Sequence, residues 1–75
     1  MFDKNLFCER LRKLRDEKKL SQSELGKMIG LSKHAVYDME HGRRMTPMDK
    51  LYALSEALGT SSDYLIGLSD IRERK

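Results

Sequence analysis

The middle of the chain carries polar and aromatic side chains at helical spacing. Positions i, i+3, i+4 and i+7 of this run share one face of a helix: His34, Tyr37, Asp38 and His41. The opposite face holds the apolar pair Val36 and Met39. A helix of about two turns with hydrogen-bonding groups on its outer face suits the DNA major groove, where such side chains bind base edges. The spacing therefore favours recognition of nucleic acid.

Metal binding and catalysis are the other chemistries that these side chains suggest. His34, Asp38 and His41 lie close together on one helix, but a zinc site needs a fourth ligand or water, and Cys8 belongs to the inner side of another predicted helix. No nucleophile–base arrangement or glycine-rich phosphate loop is present, and 75 residues leave little concavity for a substrate. We expect no metal, no cofactor, no catalytic residue and no enzymatic activity.

Two short helices and a tight corner must position this polar face. Ser21 is placed as an N-cap with Glu24 three residues later, which is the capping-box pattern. The apolar residues of the first of these helices are predicted to face inward: Leu25, Met28 and Ile29. Gly30 ends this helix and Ser32 caps the next. Residues 21–41 therefore form a predicted helix-turn-helix.

The run SQSELGKMIGLSKHAVYDMEHGRR is similar to the helix-turn-helix of the lambda-repressor-like (Cro/cI, Xre) family. The likeness covers roughly residues 5–67 and includes four further motifs: Phe7-x3-Leu11-x2-Leu14-Arg15, Leu51-x2-Leu54, Leu58-Gly59 and Asp63-Tyr64-Leu65. This resemblance implies an all-α fold, a compact five-helix DNA-binding domain. It also implies sequence-specific binding to double-stranded DNA, without indicating the operator.

Three more helices complete the expected domain. Residues 4–18 form the first helix, capped by Asp3 or Asn5, with an inner face of Phe7, Leu11, Leu14 and the stem of Lys18. Cys8 lies beside that stripe, as a small filler or, alternatively, as a reactive thiol. In the corner that follows, Lys19 stands where relatives often have glycine or asparagine, and a left-handed backbone there would cost about 1 kcal/mol.

The fourth helix is predicted to start with Thr46 as cap, Pro47 at the first position and Asp49 in the first turn. Its inner stripe is Leu51, Leu54, Ala57 and Leu58, and Gly59 ends it. A last short helix spans about residues 62–66, capped by Ser61 or Ser62. We therefore assign residues 1–67 to the DNA-binding domain. Residues 68–75 form a charged tail that is either frayed or part of a dimer seam.

The resemblance assigns a structural role to two charged residues. It places an arginine and a glutamate at Arg15 and Glu40, linked across the first and third helices, where the pair would fix the angle of the reading helix. Two separately solvated charges are the alternative. If one partner of such a pair is removed, the other is left as an uncompensated charge.

The start of the third helix is expected to contact base edges. The candidate base-reading residues are Ser32, Lys33, His34, Tyr37 and Asp38. Lys33 suits guanine O6 and N7, His34 a guanine or a phosphate, and Tyr37 a thymine methyl or a backbone oxygen. A carboxylate near phosphates is unfavourable, so we expect Asp38 to hold Lys33 or His34 in place, with acceptance from cytosine N4 as the alternative.

Phosphate contacts are expected at both sides of the reading helix. Gln22 begins the second helix, where free N–H groups and the positive end of the helix favour an anion. His41 follows the third helix, and Arg43 and Arg44 come two and three residues later. Gly42, between His41 and the two arginines, is predicted to end the helix in a left-handed conformation. A solvated basic turn is the alternative for the two arginines.

Composition limits the protein class but does not carry the functional prediction. The 75 residues are 39% hydrophobic and 36% charged, which is typical of one globular domain. The formal charge of +3 is a weak indication of a nucleic-acid partner. One cysteine is compatible with a reducing cytoplasm, and nothing resembles a signal peptide or a membrane span. We expect a bacterial or phage-encoded cytoplasmic protein that associates with the nucleoid when bound.

The resulting functional prediction is a transcriptional regulator, most simply a repressor. The resemblance implies a homodimer that binds a palindromic operator with half-sites about 34 Å apart, and such a dimer would cover a promoter. Two other classes remain open, because proteins resembling this chain include antitoxins, which bind a partner protein, and controllers of restriction–modification operons. The chain could also be the DNA-binding fragment of a longer repressor.

Overall fold

The computed structural model describes residues 2–73 of the chain. Within these residues there are five helices and no strand: α1 (Lys4–Glu17), α2 (Gln22–Ile29), α3 (Lys33–Glu40), α4 (Met48–Leu58) and α5 (Ser62–Leu65). The prediction of an all-α, five-helix fold is confirmed. No helix in the described part of the chain is both long enough and apolar enough to cross a membrane.

Side-chain caps begin four of the five helices. Ser21 and Glu24 form the complete capping box, because Glu24 N donates to Ser21 Oγ and Ser21 N donates to Glu24 Oε1, both at 2.9 Å. The bond from the Ser21 backbone lowers the pKa of the Glu24 carboxyl, since it favours the carboxylate. Asp3, Ser32 and Ser61 cap α1, α3 and α5.

One apolar core joins all five helices. Each helix contributes residues that are at most 8% exposed: Phe7, Leu11, Leu14, Leu25, Ile29, Val36, Met39, Leu54, Leu58, Tyr64 and Leu65. The members from α1 recur every three or four residues, as an amphipathic helix requires. Burial of these side chains from several helices fixes how the helix-turn-helix sits on the rest of the domain.

The corner between α2 and α3 depends on close backbone contact. A β-carbon at Gly26 would lie 2.6 Å from Leu31 O, so no larger residue fits there without movement of the corner. Leu31 N donates to Gly26 O at 2.8 Å, and Gly30 between them has a φ of 74°. Glycine at residue 26 thus lets α3 approach α2 closely.

The structure corrects two predictions about helix faces and caps. Met28 is 54% exposed and does not face the core, because the buried residues Leu25, Ile29 and Gly26 turn the inner face of α2 away from it. Thr46 does not cap α4: the helix begins at Met48, Pro47 takes the N-cap position, and no side chain bonds to the free N–H groups. The one-residue shift leaves Thr46 too far from the first turn.

The corner after α1 and the tail also differ from regular helical structure. Lys19 has a φ of 56°, so the backbone at this corner is left-handed. Lys18 is the C-cap and is exposed, so its stem does not extend the inner face of α1.

The backbone near Arg72 returns to α5, since Arg72 O accepts from Ser61 N and Thr60 Oγ1. Residues 69–72 are therefore tied to the domain and are not frayed, while the boundary at residue 67 stays a prediction.

Candidate nucleic-acid interface

The outer face of α3 brings the candidate base-reading side chains together. Lys33 and His34 in the first turn are exposed, and Tyr37 and Asp38 one turn later are half-buried. Asp38 Oδ2 lies 3.3 Å from His34 Nε2, one helical turn away. This proximity is what a holding role of Asp38 towards His34 requires.

Aromatic rings and a guanidinium group extend this face to the end of the helix. The ring centroids of Tyr37 and His41 lie 4.0 Å apart with 23° between the planes, and the ring of His34 is 6.4 Å from that of Tyr37. The guanidinium carbon of Arg43 lies 5.7 Å from the Tyr37 centroid, within the range of a cation–π contact. Four predicted site residues thus form one continuous surface.

The segment after α3 presents cations beside this surface. Gly42 has a φ of 72°, and Arg43 N donates to Asp38 O at 2.8 Å, so the chain turns sharply back at the helix end. Arg43 and Arg44 are both exposed. A β-carbon at Gly42 would lie 3.4 Å from Lys4 Cε, which places a third cationic side chain, from α1, next to this turn.

A buried carboxylate, that of Glu40 at the end of α3, links the inner side of this helix to α1. Glu40 is 3% exposed, and its two oxygens accept from Arg15, Nε to Oε2 at 2.6 Å and Nη2 to Oε1 at 3.1 Å. The hydrogen bond raises the pKa of the Arg15 guanidinium above its usual value. Arg15 Nη1 also donates to Leu20 O at 2.7 Å. One guanidinium therefore connects α1, the corner after it and the end of α3.

Gln22 and Ser32 have partners inside the protein. Gln22 Nε2 lies 3.3 Å from Glu40 Oε1, so this side chain extends the buried polar network to the start of α2. Ser32 Oγ accepts from Ala35 N at 3.1 Å as the cap of α3. A serine hydroxyl can donate while it accepts, so Ser32 keeps a hydrogen for a second partner.

Three cations near the helix-turn-helix were not among the predicted site residues. Besides Lys4, Arg12 Nε lies 3.7 Å from Glu40 Oε1, and Lys50 Nζ would lie 3.0 Å from a β-carbon at Gly30, beside the corner between α2 and α3. Lys50 stands in the first turn of α4, on a helix that the sequence marked only for packing. Its approach to Gly30 depends on the packing of α4 against α2, which no local pattern reports.

Metal binding and thiol reactivity are the other chemistries that side chains near this surface suggest. Residues 2–73 hold no group of three or more His, Cys, Asp or Glu side chains placed to bind a metal ion. His41 Nδ1 is bonded to Tyr37 O at 2.8 Å and not directed at His34 and Asp38. Cys8 is half-buried, and its Sγ lies 3.2 Å from Met39 O, as a filler beside the core would.

Comparison with known proteins places this arrangement in a defined group. The family model described as Helix-turn-helix matches residues 11–65. The HTH-type transcriptional regulator YobD of Bacillus subtilis is 37% identical over 65 residues, which are 87% of this chain and 58% of YobD. Repressor protein C2 of Salmonella phage P22 is 41% identical over 61 residues, which are 81% of this chain but only 28% of that repressor. The chain thus spans less than two thirds of either relative.

Solved structures show the same fold. The P22 c2 repressor protein in complex with synthetic operator 9T superimposes with a TM-score of 0.79 at 41% identity, covering 81% of this chain and 92% of that one. The restriction–modification controller protein C.AhdI from Aeromonas hydrophila gives a TM-score of 0.78 at 35% identity, covering 84% of this chain and 96% of that one. Each alignment covers more than four fifths of this chain.

Proposed function

We propose that this chain, which belongs to the Helix-turn-helix family of lambda-repressor-like (Cro/cI, Xre) proteins, binds double-stranded DNA sequence-specifically and regulates transcription. One observation carries the proposal. The outer face of α3 is a continuous polar and aromatic surface that ends in two exposed arginines, while the inner face of the same helix is held by the core and by Glu40. A rigid helix with exposed donors and acceptors has the form that major-groove recognition needs.

The first turn of α3 reads bases in this proposal. Lys33 donates to guanine O6 and N7, and His34 contacts a guanine or a phosphate. Tyr37 contacts a thymine methyl or a backbone oxygen. Asp38 holds His34, a role supported by the 3.3 Å approach of the two side chains. Ser32 adds the hydrogen of its hydroxyl, which the cap leaves free to donate.

The groups around α3 bind the sugar–phosphate backbone. Arg43 and Arg44 are exposed at the turn after the helix, and His41 stands at the helix end. Gln22 contributes through the free N–H groups at the start of α2, because its side-chain amide is bonded to Glu40. These contacts fix the position of the domain on any sequence, and the base contacts then select one.

A homodimer on a palindromic operator, and repression by covering a promoter, complete the proposal. Major-groove helices of such dimers bind half-sites one helical turn apart, about 34 Å. The relation to the P22 repressor, whose structure contains a synthetic operator, supports the choice of repression. The protein would act in a bacterial cytoplasm, on DNA, without an enzymatic reaction.

The similarity to the C.AhdI controller protein favours a second candidate. The alignment covers 96% of that protein's chain, so the likeness extends over nearly all of that controller protein. In this alternative the chain controls a restriction–modification operon and can activate as well as repress. The two candidates share the DNA-binding surface and differ in the promoter that they control.

Selection of bound DNA from a random duplex library, at about 150 mM salt, tests the proposal. Recovery of an inverted repeat supports a sequence-specific dimeric regulator and allows its promoters to be found by search. Transcription from such a promoter, with and without the protein, then separates repression from activation. Recovery of no sequence above background contradicts DNA recognition by this chain.

A further inference from the structure

The ring of His41 is bound to the last turn of α3 through one nitrogen. Nδ1 lies 2.8 Å from Tyr37 O, and the backbone N of His41 also approaches that oxygen, at 3.1 Å. A carbonyl oxygen only accepts, so Nδ1 must be the donor and carry a hydrogen. A neutral imidazole has a single N–H. In the neutral state Nε2 of His41 therefore carries a lone pair and no hydrogen.

Two contacts hold this ring in its orientation. The hydrogen bond to Tyr37 O fixes the Nδ1 edge, and the ring stacks on that of Tyr37 at a centroid distance of 4.0 Å. Nε2 points away from the bond that Nδ1 makes because the two nitrogens lie at different positions of the ring, and the exposure of the residue leaves room for a ligand. A flip of the ring would break the hydrogen bond.

Two cationic side chains near His41, those of Arg43 and Lys4, can attract an anion to this end of α3. Charged or titratable side chains approach this end of α3 from α3 itself, from the following turn and from α1: Tyr37, Asp38, Arg43, Lys4 and Cys8. Asp38 is engaged with His34. In the proposed complex the ligand of this region is a DNA phosphate, whose oxygens accept hydrogen bonds and cannot donate them.

These geometric facts set a condition on the phosphate contact. A neutral His41 would present the Nε2 lone pair to a phosphate oxygen, and two acceptors repel each other. The imidazolium presents an Nε2–H and a positive charge, and it keeps the Nδ1 bond to Tyr37 O, because both ring nitrogens then donate. Only the protonated ring satisfies both partners.

We propose that His41 binds a DNA phosphate only as the imidazolium, so that each copy of the chain takes up one proton from solvent at Nε2 when it binds DNA. The inference rests on the proposed function and adds a proton-linked contact to it. Histidine side chains as a class change charge between about pH 5 and 8, so DNA affinity varies with pH in the physiological range.

The first test measures affinity for the selected duplex from about pH 6 to pH 8 at constant salt. Uptake of one proton per chain makes log K fall with pH, with a limiting slope of about −1 for each bound copy. The contact also adds one neutralised phosphate, so the plot of log K against log salt is steeper by about 0.9 per copy at the acidic end than at the basic end.

The two histidines of the chain provide a matched pair of variants. His41→Gln keeps a polar side chain but cannot take up the proton, and we expect its pH slope to be lost. His34→Gln removes the other histidine, which lies 3.3 Å from Asp38 and is itself proposed to contact a guanine or a phosphate, so we expect it to change the affinity but to keep the part of the slope that His41 supplies. Complete loss of the slope in His34→Gln, or retention of the full slope in His41→Gln, would overturn the inference.

A measurement on the free protein checks the tautomer independently. Nitrogen chemical shifts of the His41 ring at basic pH should show a hydrogen on Nδ1 and none on Nε2. A hydrogen on Nε2 would overturn the inference even if DNA binding depends on pH. Specific binding without any pH slope would remove the inference and leave the proposed function intact, whereas absence of specific binding throughout this pH range would contradict the proposed function itself.

Discussion

The two faces of α3 belong to the same eight-residue helix but make different kinds of contact. On the inner face, Val36 and Met39 are fully buried, and Glu40 is bonded to Arg15 on α1. The contacts on the outer face join neighbours in sequence, such as His34 with Asp38. The inner face therefore uses its groups to hold the helix in the domain, and the outer face keeps its groups for a ligand.

This division implies that stability and DNA recognition can be changed separately. Substitutions on the inner face should alter the free energy of unfolding, because they remove long-range contacts. Substitutions on the outer face should alter affinity for DNA and leave unfolding nearly unchanged. The following changes test this separation in order of decreasing effect.

Glu40→Ala should destabilise the fold by about 3–5 kcal/mol, because it leaves the Arg15 guanidinium, with a side chain only 14% exposed, without its carboxylate. Denaturant unfolding measures this loss. Glu40→Gln is the control, since it keeps the shape and part of the hydrogen bonding and should lose less. A change of less than about 1 kcal/mol for Glu40→Ala would mean that the pair behaves like a surface salt bridge.

Lys33→Ala on the outer face should weaken binding to the selected operator by about 1–3 kcal/mol and relax the preference at one base position. Its unfolding free energy should equal that of the unmodified protein, because the residue is exposed. Titrations with operator and with random duplex separate the two effects. Equal losses on both duplexes would move Lys33 from base reading to phosphate binding.

Arg44→Ala should weaken binding to all sequences alike and lower the slope of log K against log salt by about 0.9 for each chain bound. The matched control is Lys18→Ala, which removes the same charge beside Gly59, at the other end of α4. We expect the control to keep the full salt slope. The assignment fails if both variants, or neither, lose salt dependence.

A second Arg–Glu pair sharpens the contrast with Glu40. Arg72 donates to Glu17, both side chains are more than 40% exposed, and this bond lowers the pKa of the Glu17 carboxyl. A lowered pKa gives stability above the unfolded value and loses it as the pH falls through the folded value. Unfolding measured from neutral pH to below about 4.5 should therefore show a slightly steeper acid loss for the unmodified protein than for Glu17→Gln.

Salt distinguishes the two pairs further. The Arg72–Glu17 contribution should disappear at high salt because solvent screens exposed charges, whereas the Arg15–Glu40 contribution should persist. If Glu17→Gln and Glu40→Gln lost equal stability, burial would not be the property that separates the two pairs.

The sequence predicted features that depend on neighbouring residues. The capping box of Ser21 and Glu24 and the cap at Ser32 need only three-residue spacing. The assignment of Met28 to the core was wrong. In a helix of only two turns, the spacing of apolar residues does not show whether the buried face next to Leu25 includes residue 28.

The sequence by itself determined the five helices, their order and the polar face of α3, because helical periodicity and capping act between residues at most a few positions apart. Only the tertiary structure decided that Lys4 lies beside Gly42, that Lys50 approaches Gly30, and that Gln22 bonds to Glu40. These contacts join residues on different helices. They exist because the buried core and the close approach of Gly26 to Leu31 set the angles between those helices.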